Sequence, residues 1–332
     1  MRALALLSGG MDSILAAKLI KDQGIEVIGV NFDISFGKRR ANLIGASGNA
    51  AKQLAKDIGI EFKIVDIGQE FLGVLQNPKY GYGANMNPCI DCKILMLKKS
   101  RELLKELGAS FVVTGEVLAQ RPMSQYRPAL NLIGKDSGLE GLLLRPLCAK
   151  HLDETIPEKE GWVDRNKLKD FNGRTRKPQM ELAQELGIKN PPNASGGCLL
   201  TEPLFIKKIQ DLIEHKELNL ENIELLKIGR HFRLADSAKL VVGRDEKENA
   251  YLENSAKESD YLFLPPGDIA GPSALGRGKF SQELLKNCAD IVCRYSDLGD
   301  KAGIKVLVRQ GLKENVIDVL NLPQEQLDKM RI

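Results

Sequence analysis

Two sets of residues in this sequence have types and spacings that could do chemistry. The first is Ser8-Gly9-Gly10-Met11-Asp12-Ser13. It follows a short apolar run, Arg2 to Leu7, and precedes Ile14, Leu15, Leu19 and Ile20, which fall at helical spacing up to Gly24. In a turn from buried strand to helix, glycines let the backbone bend close to a ligand. The unpaired N–H groups of the first helical turn then favour an anion. Ser8 and Ser13 add hydroxyl donors, and Asp12 can hold Mg²⁺ against the same phosphates. This is not a Walker loop, since the Gly-Lys-Ser/Thr ending is absent. The plain alternative is a nest-like turn capped by Ser and Asp, with no ligand.

The second set is thiols. Asn87-Pro88-Cys89-Ile90-Asp91-Cys92-Lys93 places two cysteines just before a helix expected over 93–107, and Gly196-Gly197-Cys198 supplies a third in another small-residue turn. A helix N-terminus lowers a thiol pKa, which makes Cys92 thiolate-prone. A single CxxC serves redox pairs, zinc sites and clusters alike, and the second CxxC of a zinc knuckle is missing. Three thiolates in two turns fit a [4Fe–4S] cluster with one iron open, where hydrosulfide could be held as a nucleophile. The competing arrangement has no cluster: one cysteine carries a persulfide and another resolves it. Asp91 is a candidate base or a solvent-facing turn acid. Cys148, Cys288 and Cys293 read as packing.

The elements that must position these residues follow from periodicity. Strands expected over 26–32, 61–67, 110–114 and 142–144 alternate with helices over 49–58 and 93–107. That alternation predicts an α/β fold with a doubly wound parallel sheet. Asp33 and Thr114-Gly115-Glu116 then lie at the carboxyl edge, where such sheets bind nucleotides. The stretch 69–86 reads as a Gly- and Tyr-containing loop. From 151 to about 216 the pattern turns helical and basic. Beyond 222 come a hairpin across Asp236-Ser237, a helix opening near Asp245, a strand over 261–264, a Pro/Gly loop over 265–278, a helix over 282–295 and a strand over 305–308. The expected domains are 1–150, 151–220 and 221–332, the last a smaller α+β domain.

Composition sets bounds on function. The chain has 332 residues, 43% hydrophobic and 28% charged, which is ordinary for a globular protein. A net charge of +4 does not by itself imply nucleic-acid binding. No apolar run approaches membrane-spanning length and the N-terminus runs straight into a strand, so a cytoplasmic protein with no membrane partner is expected. Six cysteines in that setting point to thiol, metal or catalytic use. Only three histidines are present, which disfavours imidazole as the centre of the chemistry.

The Ser8–Ser13 turn resembles the pyrophosphate (PP) loop of the ATP pyrophosphatases of the adenine nucleotide alpha hydrolase type. Thr114-Gly115-Glu116 with Gln120 and Ser124-Gln125, Arg145-Pro146-Leu147, and the CxxC with a distant cysteine are similar to the tRNA 4-thiouridine synthetases. The Asn-Pro-x-x-x-Cys segment and the late Gly-Cys turn also resemble the tRNA 2-thiouridylases, with Cys92 at the first catalytic cysteine and Cys198 at the second. Cys89 stands where cluster-free members carry aspartate. Residues 222–332 resemble an NFACT-R (DUF814) RNA-binding domain. The THUMP region usual before the ATP loop, and the rhodanese domain some members carry, are not expected here.

The resemblance implies an ATP-dependent tRNA sulfurtransferase that adenylates a uridine carbonyl oxygen and replaces it with sulfur, giving 4-thiouridine. ATP and Mg²⁺ would be held by Ser8, Gly9, Gly10, Asp12, Ser13, Asp33, Thr114, Gly115 and Glu116. Cys89, Cys92 and Cys198 would hold the cluster and, with Asp12, serve catalysis. The implied partners are tRNA, a sulfur donor (inorganic sulfide or a cysteine desulfurase) and a second copy of the chain. Between residues 164 and 179 six cations stand against two acids. Arg165, Lys167, Arg174, Arg176 and Lys177 are the expected tRNA contacts there, with Arg244, Arg230 and Lys247 beyond; a solvated helical face is the alternative. The rival functions are a 2-thiouridylase, a cluster-free thiolase, a small-molecule ATP-dependent synthetase, and an RNA-binding protein that kept a nucleotide fold as scaffold.

Overall fold

A computed structural model describes residues 1–34, 36, 46–188, 197–265, 269–297, 304–319 and 324–332. The chain divides into two compact units, Met1–Glu202 and Pro203–Ile332. Residues 151–202 therefore lie within the first unit and 203–220 within the second. Gly196 and residues 266–268 lie outside the described residues.

The first unit opens β1 (Arg2–Leu6), α1 (Met11–Lys21), β2 (Glu26–Asp33), α2 (Ala46–Asp57) and β3 (Glu61–Asp66). It continues with α3 (Gly68–Gln76), α4 (Cys89–Glu106), β4 (Phe111–Val113), α5 (Arg127–Asp136), β5 (Leu143–Leu144), α6 (Ile156–Lys159) and α7 (Lys177–Glu185). The five strands are parallel in the order β3-β2-β1-β4-β5. Strand order reverses between β1 and β4, so a crevice opens at their carboxyl ends.

The central strand is apolar from Ala3 to Leu6 because both its faces are covered. Ala3 and Ala5 join Ile14, Leu15 and Ala51 on one face, together with Leu182 and Ala183 of α7. Leu4 joins Ile90, Ile94 and Leu97 of α4 on the other face. Truncating the fully buried Leu4 to Ala would cost about 2–5 kcal/mol by the usual core penalty.

The second unit comprises α8 (Pro203–Glu214), α9 (Leu220–Leu226), β6 (Arg230–Ala235), β7 (Ala238–Val242), α10 (Glu246–Ser255), β8 (Tyr261–Leu264), β9 (Ala274–Gly278), α11 (Gln282–Arg294), β10 (Lys305–Gln310), β11 (Lys313–Asp318) and α12 (Gln324–Met330). Its antiparallel sheet runs β11-β10-β8-β9-β7-β6. Phe232, Leu240 and Phe263 pack there against Leu285, Ile291 and Val292. Asp245 starts α10 by accepting from the Glu248 N–H at 3.0 Å, a side-chain N-cap.

Several expectations need correction. The loop expected over 69–86 contains α3, because Phe71, Leu72 and Leu75 bury one helical face. The Pro/Gly stretch 265–278 ends in β9, held by pairing with both β7 and β8. The segment 151–216, read as helical, is largely turns and short 3₁₀ pieces before α7. Among the described residues no helix is long and apolar enough to cross a membrane.

Candidate active site

The β1–α1 turn is tied by its own hydroxyls. Ser13 Oγ donates to the Gly10 carbonyl at 2.8 Å, and Ser8 Oγ accepts from the Gly10 N–H at 3.3 Å. Gly9 adopts φ +72°, a left-handed conformation that favours glycine. Gly10 caps α1 without a side-chain hydrogen bond, which leaves the first N–H groups of the helix to a ligand. Beside the turn, a Cβ on Gly115 would lie 2.4 Å from the backbone carbon of Asp12 and 2.5 Å from the Ser13 nitrogen. Only glycine lets the end of β4 come this close.

Between these two strand ends lies a cavity of about 420 Å³. Ser8, Gly10, Asp12 and Ser13 line one wall, Thr114, Gly115 and Glu116 another, and Val30, Asn31 and Phe32 the side towards β2. Gly9 and Asp33 are not among the lining residues. Asp12 Oδ2 accepts from Gln120 Nε2 at 3.1 Å, while its buried Oδ1 has no hydrogen-bond partner. Burial raises the Asp12 carboxyl above its ordinary range, although Gln120, Arg176, Arg121 and Gln179 pull the other way. A buried carboxylate oxygen with an unmet lone pair fits a hard divalent cation such as Mg²⁺.

Glu116 is not available as a base. Its carboxylate is ion-paired with Lys93 and with Arg145 Nε at 2.8 Å, and it accepts from Thr114 Oγ1 at 3.2 Å. Burial works against its charge, but attraction to Lys93 and Arg145 outweighs this and holds it at about 2. Arg145 also donates to the Leu130 carbonyl at 3.0 Å. No residue spacing signals the Lys93 pairing, which joins groups 23 residues apart across the crevice.

The cysteines occupy the adjoining end of α4. Cys89 and Cys92 sit on its first turn rather than before it. Asn87 Nδ2 lies 3.2 Å from Cys89 Sγ as donor. The Cys198 turn is tied nearby, with Asn85 Nδ2 donating to the Thr201 carbonyl at 3.2 Å. All three cysteines are half-buried and none is in a disulfide. Burial pushes the Cys92 thiol well above its ordinary range, and Cys198 and Cys89 add like-charge repulsion. The helix N-terminus was expected to lower it; desolvation wins instead. Among the described residues no three His, Cys, Asp or Glu side chains converge on a single ion. The Cys92 thiol nonetheless feels both Cys198 and Cys89, which puts the three thiols in one neighbourhood. None of the three lines the cavity; Lys93, next to Cys92, does.

Other candidates move. Asp91 is 9% exposed and accepts from the Lys79 and Tyr80 N–H groups at 3.0 Å, so it braces a loop and is neither a base nor a solvent-facing acid. Arg165 turns inward to Glu158 and donates to the Ala149 and Leu152 carbonyls at 2.9 Å. Arg244 pairs with Glu248 of its own helix region. Lys167 and Lys177 are exposed. Arg174 and Arg176 line the cavity with Arg121 instead of forming an outer basic face. Cys148, Cys288 and Cys293 are core. Sequence reading missed Arg121 and Gln179 altogether: Arg121 lies beside Gln120 of the quoted motif, whereas nothing in the sequence distinguishes Gln179.

Comparison with known proteins agrees with this division of the chain. Residues 1–137 match the family model "tRNA methyl transferase HUP domain", and residues 229–331 match "NFACT protein RNA binding domain". A tRNA-specific 2-thiouridylase from Clostridium botulinum is 34% identical over 117 residues, covering 34% of this chain and 33% of the relative. One from Deinococcus radiodurans is 30% identical over 125 residues, covering 34% and 32%. The chain thus spans about a third of the length of the curated relatives it matches. Among solved structures, a 4-thiouridine synthetase–RNA complex with bound ATP aligns at 17% identity and TM-score 0.38, covering 68% of this chain and 52% of that one. The U34-tRNA thiolase of Methanococcus maripaludis aligns at 18% and 0.31, covering 68% and 69%. Over its first 137 residues the chain is thus similar to the tRNA methyl transferase HUP domain family, and over residues 229–331 to the NFACT RNA-binding domain family.

Proposed function

We propose that this protein is an ATP-dependent tRNA thiolase. The observation that carries the reading is the crevice between β1 and β4. There an anion-binding turn shares a cavity wall with Lys93, whose chain neighbour Cys92 feels two further thiols. The names of the curated relatives, tRNA-specific 2-thiouridylases, support the substrate class.

In this reading ATP lies with its phosphates on the Ser8–Ser13 turn. A uridine carbonyl oxygen attacks the α-phosphorus, the bond to the bridging oxygen breaks, and pyrophosphate leaves. The departing oxygen is then bonded to the α-phosphorus in a phosphodiester, and sulfide attacking the uridine carbon breaks the C–O bond and releases AMP, a phosphate monoester. Backbone N–H groups at the start of α1 stabilise charge on the leaving pyrophosphate. Mg²⁺ held by Asp12 would supply further charge neutralisation there. A cluster held by Cys89, Cys92 and Cys198 would supply a place for sulfide. A stacked target base must be exposed or flipped to reach the cavity.

We assign the product as 4-thiouridine on the resemblance of residues 114–125, with sulfide or a desulfurase as donor. A 2-thiouridine product is the second reading, favoured by the relatives' names. Nucleoside mass spectrometry of tRNA incubated anaerobically with the protein, ATP, Mg²⁺ and sulfide tests both. A thionucleoside made with stoichiometric AMP is the expected result, and its position on the ring separates the two products. AMP formation without thionucleoside would overturn the reading.

A further inference from the structure

The cavity has a second, cationic wall that the family motifs do not contain. Arg121 follows the β4 edge, while Arg174 and Arg176 arrive from the segment leading into α7, and all three line the cavity together with the Ser8–Ser13 turn. Arg176 occupies the N-cap position of α7, and α7 packs on α1. The starts of both helices, Gly10 and Arg176, therefore open on one space. Gln179, in the first turn of α7, is 1% exposed and outside the cavity lining, and its amide faces the Asp12 carboxylate. Gln125, which lines the cavity and is 5% exposed, has a buried Oε1 without a hydrogen-bond partner. Buried amides without partners are rare and costly unless a ligand or water completes them.

We propose that Arg121, Arg174 and Arg176 form the half of the nucleotide site that grips the β- and γ-phosphates and then the released pyrophosphate. The inference rests on the ATP reading of the Ser8–Ser13 turn and adds the residues that distinguish a triphosphate from a monophosphate. A triphosphate carries about four negative charges, and one helix N-terminus contributes only about half a unit of positive charge. Asp12 on the same wall worsens that balance. Three guanidiniums redress it, and each can engage phosphate oxygens through two parallel N–H bonds. The influence of Arg176 and Arg121 on the Asp12 carboxyl agrees with their facing the same space.

The test is calorimetric titration of the full chain, with Mg²⁺, using ATP, AMP and inorganic pyrophosphate in turn. Arg174 is exposed, and the Arg176 side chain makes no cap bond to α7, so Arg174→Ala and Arg176→Ala leave the fold in place. Each should weaken ATP and pyrophosphate at least tenfold while AMP changes less than twofold. Arg176→Lys keeps the charge without the planar fork and should fall between. Equal losses for AMP and ATP would overturn the assignment. So would unchanged ATP affinity accompanied by a loss of tRNA affinity, which would make these arginines RNA contacts. A wild-type chain that binds neither ATP nor pyrophosphate overturns the assignment together with the ATP reading. One that binds ATP through these arginines but leaves tRNA unthiolated removes only the thiolase reading.

Discussion

Lys93 and Glu116 form an ion pair that joins the cysteine-bearing helix to the nucleotide crevice. Arg145 completes the triad from the far side, so one carboxylate offsets two cations in a nearly water-free setting. Glu116→Gln would leave both cations facing a neutral amide, at a cost of about 3–5 kcal/mol for a broken buried pair. The pH dependence has a definite sign. The unfolded chain takes up this proton near pH 4.5 and the folded one only near 2, so stability falls as pH drops across that interval. Urea unfolding at pH 7 and at pH 3 should show wild type losing stability and Glu116→Gln losing less. Equal pH slopes would mean that the triad does not hold Glu116 ionised.

Gly115→Ala tests the close approach of β4 to the turn. The added methyl would meet backbone at 2.4–2.5 Å, and backbone cannot swing aside as a side chain can. Overpacking of this kind costs about 1–3 kcal/mol. The displaced Asp12 and Ser13 should also lower ATP affinity at least tenfold in calorimetry. A variant with wild-type affinity and melting temperature would show that the crevice is more plastic than this contact implies.

The legibility of the fold in the sequence follows physical lines. The β1–turn–α1 unit is local: Leu4, Ile14 and Leu15 sit where their periodicity puts them, and Ser8 and Ser13 bond within their own loop. The cysteine turns were readable as motifs, because a CxxC is a spacing. The Cys92 thiol was misread because its proton affinity depends on how deeply tertiary packing buries it. Arg165 and Arg176 look alike in a basic run, yet one is folded onto Glu158 and two carbonyls and the other faces a cavity. Composition counts charges; only packing decides which are already neutralised.

Cys92 should be a slow nucleophile in the metal-free protein. Its burial comes first, with Cys198 and Cys89 adding repulsion, so the thiol stays protonated at neutral pH. Iodoacetamide at pH 8, followed by peptide mass spectrometry, should label Cys92 well after a free cysteine. Cys198→Ser should speed that labelling severalfold by removing the first of its thiol neighbours. Iron–sulfur reconstitution must strip these protons and should fail progressively as pH falls below neutral. Cys89→Ser should abolish cluster absorbance; unchanged iron content would sink the three-thiolate site.

The basic segment before α7 should split into structural and exposed cations. Arg165→Ala leaves the buried Glu158 carboxylate with Thr155 as its remaining partner and no counter-charge, and frees two carbonyls, so a loss of about 1–3 kcal/mol is expected. Its tRNA affinity should hardly change. Lys167→Ala and Lys177→Ala should behave oppositely: little loss of stability, weaker tRNA binding, and a salt slope reduced by about one for each phosphate contact removed. Filter binding across a salt series, beside thermal melts, separates the two behaviours. A salt slope that moved with Arg165 would mean that its inward contacts open when RNA arrives.

Lys208 of α8 is a strained cation in the second unit. Burial, reinforced by Arg244 and Lys239, pulls its ammonium down to about 8, and its Nζ donates to the Leu226 carbonyl at 3.2 Å. The unfolded chain holds this proton up to about pH 10.5, so between 8 and 10.5 the folded state binds fewer protons and stability rises with pH. Below pH 8 the buried charge is a standing cost. Lys208→Met should therefore raise stability at pH 7 by about 1–2 kcal/mol, once the lost hydrogen bond and residual hydration are discounted. It should also flatten the alkaline rise seen in wild type by urea unfolding. RNA phosphate bound beside Lys208 would relieve the same tension, so the stabilised variant should bind tRNA more weakly. A variant less stable at pH 7 would show that the lysine is held by its partners more firmly than its cationic neighbours repel it.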